Sequence, residues 1–151
     1  MWISIAVQLR LLKLVLRVGG VVTALAFLAA FLPADGMASI HEAFGLGPFP
    51  RAPIVDYLAR SIALLYGFHG ILMLIVAGDP VRYRPIVTYI AVMDLTFGIA
   101  VAAIDIHAGL PWYWTLGESA AITYLGLLVA VLSWSTRRVA QPPLSRSASC
   151  L

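Results

Sequence analysis

The side chains that could do chemistry in this sequence are ionisable groups placed within long apolar stretches. They are Asp56, Arg60, His69, Asp94, Asp105 and Glu118. An ionisable group inside hydrocarbon costs about 2.5–3.5 kcal/mol, so it normally faces a polar partner or a water-filled cavity. Such groups either hold helices together as pairs or serve as a proton relay or a substrate pocket. We therefore predict an intramembrane charged cluster made of these six residues, with no catalytic role assigned to any of them.

The composition is that of a membrane protein. The chain has 151 residues, of which 62% are hydrophobic and 11% charged, and its mean hydropathy is +0.95. Soluble domains are about 45–50% apolar and about 25% charged. Four runs approach or reach the roughly 20 residues that cross a bilayer. The sequence predicts an all-α integral membrane protein, a four-helix transmembrane bundle.

The four predicted helices cover about 11–32, 54–77, 86–106 and 112–134 of a single transmembrane domain, residues 1–138. The second and third helices are joined by a short basic turn and are expected to be antiparallel neighbours. The long first connection is predicted to hold a short interfacial helix, about 37–44, capped by Asp35. Residues 139–151 are predicted to be a polar tail. A cleaved signal peptide is the alternative interpretation of the basic start and the first apolar run.

Basic residues predict the orientation. Eight of them flank the helices on one side, namely Arg10, Lys13, Arg17, Arg82, Arg84, Arg137, Arg138 and Arg146. Only Arg51 lies on the other side. This asymmetry places both termini in the cytoplasm. Because the basic residues sit at helix ends and not on one soluble face, the sequence pI of about 9.4 does not indicate a nucleic-acid partner.

Helical geometry predicts which charged residues share a depth in the membrane. At 1.5 Å per residue, His69 and Asp94 each lie about 12 Å from the inner ends of their helices. Arg60 and Glu118 each lie about 9 Å inside the outer ends of theirs. Asp105 lies nearer the outer interface, close to this second level.

The angular positions separate two groups. Arg60 and His69 point about 180° apart around the second helix, so one helical face cannot serve both. If His69 meets Asp94, then Arg60 points toward Glu118 or toward Asp56, its neighbour one turn earlier. We predict a His69–Asp94 pair. We also predict a separate cluster of Arg60, Asp56 and Glu118, with Asp105 close by. The structural interpretation of these groups is favoured over a proton relay, a substrate pocket or a contact with a partner chain.

Signals for metals and cofactors are weak. His41, His69 and His107 are not spaced as a helical ligand pair, and no phosphate loop, nucleophile motif or paired cysteine site is present. No metal and no cofactor are predicted, although contact with a quinone or a lipid is left open.

The outer segment MASIHEAFGLGPFP, followed by a helix that opens with PIVDYLAR, resembles the DoxX-like proteins, small four-helix proteins of the bacterial inner membrane. The resemblance covers the helices and the first outer loop. It implies a multi-pass protein of the inner (cytoplasmic) membrane and hints at an association with quinone-linked oxidoreductases. No catalytic residue is carried over by it.

The leading functional hypothesis is a non-catalytic accessory or structural subunit of a larger inner-membrane complex, such as a respiratory or photosynthetic electron-transport assembly. Its expected partners are membrane lipids and other transmembrane subunits. The alternative is a small membrane enzyme or proton-coupled carrier that uses the intramembrane Arg, Asp and Glu residues. A third possibility is a lipid- or quinone-binding chaperone with its ligand beside His69.

Overall fold

The structure, a computed structural model, describes the backbone of residues 5–139 and the side chains of residues 5–136. This part of the chain contains six helices. They are α1 (Ile5–Ala24), α2 (Ala26–Phe31), α3 (Ala34–Ala43), α4 (Pro53–Gly78), α5 (Arg84–Ala108) and α6 (Trp112–Val139). Four spans are long and apolar enough to cross a membrane: Ile5–Phe31, which joins α1 and α2, and the three helices α4, α5 and α6. The predicted all-α bundle with four membrane-crossing helices is confirmed.

Local sequence signals explain the helix ends. Proline occupies the first turn of both α4 and α5, where its missing N–H costs nothing. α5 ends at Gly109, whose φ of +70° is the left-handed conformation that glycine adopts without strain. The predicted bounds of α4 and α5 are therefore close to the observed ones, and α6 continues past the predicted end at residue 134 to Val139.

The first span starts earlier than predicted. It is helical from Ile5, not from about Leu11, because residues 5–10 include the good helix formers Ala, Gln, Leu and Arg and no Gly or Pro. Arg10 and Arg17 are exposed on this helix. The backbone of Leu25 keeps right-handed helical angles between α1 and α2, so the two helices form one continuous span. The predicted polar tail falls outside the described residues, apart from residue 139.

The predicted surface helix is present as α3, but Asp35 does not cap it. Pro33 occupies the N-cap without a side-chain hydrogen bond, and the Asp35 carboxylate instead lies 2.8 Å from the guanidinium of Arg51. At the other end of α3, the carbonyl of Phe44 accepts a hydrogen bond of 3.0 Å from the hydroxyl of Tyr113. α3 is thereby attached to the first turn of α6.

Glycine allows the spans to pack as two close antiparallel pairs. A Cβ built on Gly70 of α4 would lie 2.6 Å from the carbonyl of Gly20 in α1 and would also collide with the backbone of Ala24. A Cβ on Gly98 of α5 would lie 2.9 Å from the carbonyl of Ser119 in α6. Such small residues let helix backbones approach in a bilayer. α1 also packs against α6, which joins the two pairs.

The two ends of the bundle are packed differently. We call the end with the start of α1 and the end of α6 the terminal face, and the end with α3 the α3 face. The buried apolar core lies in the terminal-face half and comprises Leu12, Leu16, Met73, Val76, Ala77, Val87, Ile90, Ala91 and Val129. The expected close packing of α4 with α5 is not found: residues 79–83 link them at the terminal face, but few residues of the two helices come close.

The close approach of α1 and α4 gives a first prediction. Gly70→Ala should lower the free energy of unfolding by about 1–3 kcal/mol, because its methyl group would meet backbone atoms that cannot move independently. The matched control is Gly117→Ala in α6, where an added Cβ meets nothing within 4 Å; that change should be neutral or stabilise by up to about 1 kcal/mol. Unfolding in mixed micelles with increasing denaturing detergent measures both. Equal stability of the two variants would contradict the packing described.

Candidate functional site: an intramembrane cavity

A cavity of about 680 Å³ lies in the α3-face half of the bundle and is lined by all four spans. It exists because α4 and α5 diverge from their link while each stays packed on a neighbour. Most of its wall is apolar. Its polar lining residues are Thr23, Tyr66, His69, Asp94, Asp105 and Glu118.

The cavity opens sideways between α4 and α5. Leu65 of α4 is 69% exposed and Ile104 of α5 is 65% exposed, and both belong to its lining. Ile62 and Phe97 extend this apolar rim on the same two helices. In a bilayer such a rim faces acyl chains, so the opening leads into lipid and not into water.

His69 and Asp94 meet where the cavity adjoins the packed half. The Nε2 atom of His69 lies 3.0 Å from Oδ1 of Asp94, and the side chains are 16% and 4% exposed. This is the pair that their matched depth predicts. The geometry does not align a hydrogen bond, and His69 Nε2 and Asp94 Oδ2 have no hydrogen-bond partner among the described residues.

Tyr66 and Glu118 form a second polar contact in the cavity. The hydroxyl of Tyr66 donates a long hydrogen bond of 3.5 Å to Oε1 of Glu118, and its ring packs edge-on against Phe97 at 6.0 Å between centroids. Tyr66 is not among the predicted site residues, because it lies within the apolar run of α4. The signal was its place one turn before His69, on the same side of the helix.

Asp105 completes the acidic wall of the cavity. Its side chain is buried, its Oδ2 atom has no hydrogen-bond partner within the described part of the chain, and it interacts electrostatically with Glu118. A buried polar atom without a partner costs about 1–3 kcal/mol. Together with His69 and Asp94, it gives the cavity hydrogen-bonding capacity that the described side chains do not use.

Arg60 lies outside the cavity lining; its predicted contact with Asp56 is confirmed, and the predicted contact with Glu118 is not formed. Its Nε atom donates to Oδ2 of Asp56 at 2.9 Å, and its Nη1 atom donates to the carbonyl of Ala30 at 2.7 Å. That carbonyl belongs to the last turn of α2, where backbone acceptors lack an intrahelical partner. The guanidinium therefore ties the end of the first span to α4, and within the described part of the chain no Arg or Lys lines the cavity.

A second pocket, of about 520 Å³, lies on the α3 face. It is lined by Phe44, Tyr113, Trp114, Gly117 and Glu118, and the rings of Phe44 and Trp114 pack edge-on at 5.7 Å. Glu118 belongs to the lining of both spaces. Glu118 is thus adjacent to both the intramembrane cavity and the pocket at the α3 face.

The role of Arg60 gives a second prediction. Arg60→Met should lower the melting temperature in detergent by several degrees, because it leaves Asp56 and the Ala30 carbonyl without their donor. Arg51→Met is the matched control, since its ion pair with Asp35 is exposed on both sides, 69% and 83%, and such pairs contribute little. Thermal unfolding followed by circular dichroism measures both. Equal melting temperatures would show that the Arg60 contacts do not hold the spans together.

Comparisons with known proteins do not assign a role to the cavity. No family model, no curated protein and no solved structure matches the chain. The resemblance to DoxX-like proteins therefore stays a prediction.

Proposed function

We propose that this chain is a membrane-embedded binding protein that takes a small, lipid-soluble molecule with a polar group from the bilayer into its cavity. One combination of features supports the proposal: an apolar opening toward lipid, and behind it buried polar atoms without partners among the described residues. Packing alone explains neither feature, because a bundle that only needed stability would close the gap with apolar side chains.

Size and chemistry favour a small-molecule ligand. Pockets for such ligands are about 300–1,000 Å³, mostly apolar, with a few polar groups that fix the orientation. The cavity volume falls inside that range. The apolar wall suits the body of the ligand, whereas His69, Asp105 and Glu118 can hydrogen-bond its polar group.

The structural interpretation of the charged residues accounts for only part of them. The Arg60 contacts with Asp56 and Ala30 hold two spans together, as the sequence analysis favours for all the charges. Asp105 and Glu118 have no cation to pair with among the lining residues. Holding helices together does not require two carboxyl groups on the wall of a cavity, which favours a binding role for these two residues.

The accessory-subunit hypothesis stays a prediction. In that role, a transmembrane helix of the partner would occupy the opening between α4 and α5. Purification from native membranes in mild detergent would then give co-migration with a large complex. A partner helix cross-linked at Leu65 or Ile104 would contradict the small-molecule proposal.

We also infer that the α3 face lies outside the cytoplasm of a bacterial inner membrane, with both termini inside. The distribution of basic residues supports this. The single cysteine, Cys150, should resist a membrane-impermeant maleimide in intact spheroplasts and react after lysis. In a Cys150→Ser background, Ser39→Cys on exposed α3 should react before lysis. The reverse pattern would overturn the orientation.

Filling the cavity tests the binding role. Val101 lines the cavity, whereas Ile99 on the same helix is 64% exposed and lies outside the lining. Organic extracts of wild-type protein and of the Ile99→Trp control should contain a lipid-soluble molecule at near-equal molar ratio to protein, detected by mass spectrometry. Val101→Trp should lose it, because the indole occupies the space.

Two outcomes would contradict the proposal: an extract of the wild type with no such molecule, or equal amounts from Val101→Trp and wild type. Similar melting temperatures of the two tryptophan variants would show that the loss does not come from misfolding.

A further inference from the structure

Resting on the proposed binding role, we infer that the cavity takes an organic cation with an apolar body, held by the carboxyl groups of Asp105 and Glu118. Binding of the cation replaces a carboxyl proton, which leaves toward the α3 face.

The charges of the lining point to a cation. Three carboxyl groups, those of Asp94, Asp105 and Glu118, belong to it, and among the residues whose side chains are described no Arg or Lys does. His69 is engaged with Asp94 at 3.0 Å, which leaves the other two carboxyls without a positive partner in the lining. In apolar surroundings an ion needs an opposite charge at close range. The wall therefore suits a cation and repels an anion.

The burial of Asp105 distinguishes the cavity wall from a cluster of acidic residues on an exposed surface. The residue is 4% exposed and its Oδ2 atom lacks a partner among the described residues. Glu118 interacts electrostatically with it and is hydrogen-bonded by the neutral side chains of Tyr66 and Trp114, neither of which supplies a positive charge. A cation between the two carboxyl groups would satisfy both.

Aromatic side chains add affinity for the same class of ligand. The rings of Tyr66 and Phe97 pack edge-on against each other and line the cavity. Cations bind aromatic faces with about 0.5–2 kcal/mol, more when water is excluded. The ligand class is thus a lipophilic amine or a quaternary ammonium or phosphonium ion.

Because Glu118 lines both spaces, a proton displaced from its carboxyl group has a route to the pocket at the α3 face. When the cation arrives, the O–H bond of one carboxyl group breaks, the carboxylate pairs with the cation, and one proton passes to water at the α3 face. Around Glu118, the groups that face it are Tyr66 of α4, Asp105 of α5 and Trp114 of its own helix. The first span adds only uncharged Val22, Thr23 and Ala26 to the lining.

A pair of probes with the same shape and opposite charge tests the inference. Radiolabelled tetraphenylphosphonium and tetraphenylborate are equilibrated with the full-length protein in lipid nanodiscs, and the Val101→Trp variant supplies the background from partition into lipid. Saturable binding of the phosphonium should be at least about tenfold tighter than that of the borate. Its affinity should fall as the pH is lowered, since protons compete for the same carboxyl groups.

The variant Glu118→Gln should weaken phosphonium binding at least about tenfold and reduce the proton release seen with a pH-sensitive dye. Glu42→Gln, which changes an exposed carboxylate outside the cavity, should alter neither. Equal binding of the two probes to the wild type would overturn the inference without any variant. If the extracts then still yield a neutral molecule that Val101→Trp loses, the cation inference fails while the binding role stands.

Discussion

The contact between His69 and Asp94 is the point on which the arrangement of the bundle depends. It joins α4 and α5, two helices that are linked at one end and otherwise pack on different neighbours. On the terminal side of this contact the spans enclose a tight apolar core, and on the α3 side they leave a cavity. Because a buried polar side chain in hydrocarbon requires a polar partner at close range, the pair holds the two helices at a defined separation without closing the gap between them.

The charged residues fall into two physical classes. Arg60 donates hydrogen bonds to Oδ2 of Asp56 and to the carbonyl of Ala30 at the α3-face end of the first span, and so pairs a cation with a carboxylate. Asp105 and Glu118 lie on the cavity wall, where, among the described residues, Oδ2 of Asp105 has no hydrogen-bond partner and the lining includes no Arg or Lys. The first class stabilises the fold. The second class destabilises a membrane-embedded fold, and binding of a ligand that enters from lipid would offset that cost.

Much of the fold can be predicted from the sequence, because span length and proline or glycine at helix ends are local signals. The His69–Asp94 pair could be predicted as well, since depth follows from counting residues along two linked helices. The contact of Arg60 with Asp56 follows from their spacing of four residues, but its second partner, the carbonyl of Ala30, could not be predicted, because a backbone carbonyl at a helix end carries no side-chain signature. The cavity could not be predicted from the sequence either, because consecutive antiparallel helices are expected to pack together. The glycine contacts of α1 with α4 and of α5 with α6 in the structure show that these pairs form instead.

Access of lipid to the cavity is the central claim, and photolabelling from within the bilayer measures it most directly. A phospholipid with a diazirine on its acyl chain is incorporated into nanodiscs with the protein, activated by light, and the labelled residues are mapped by mass spectrometry. Tyr66 and Met93, which line the cavity, should be labelled, as outward-facing Val92 is, while packed Met73 and Ile90 stay unlabelled. Label on Val92 with none on Tyr66 and Met93 would show that the cavity is closed to the bilayer and would contradict this account.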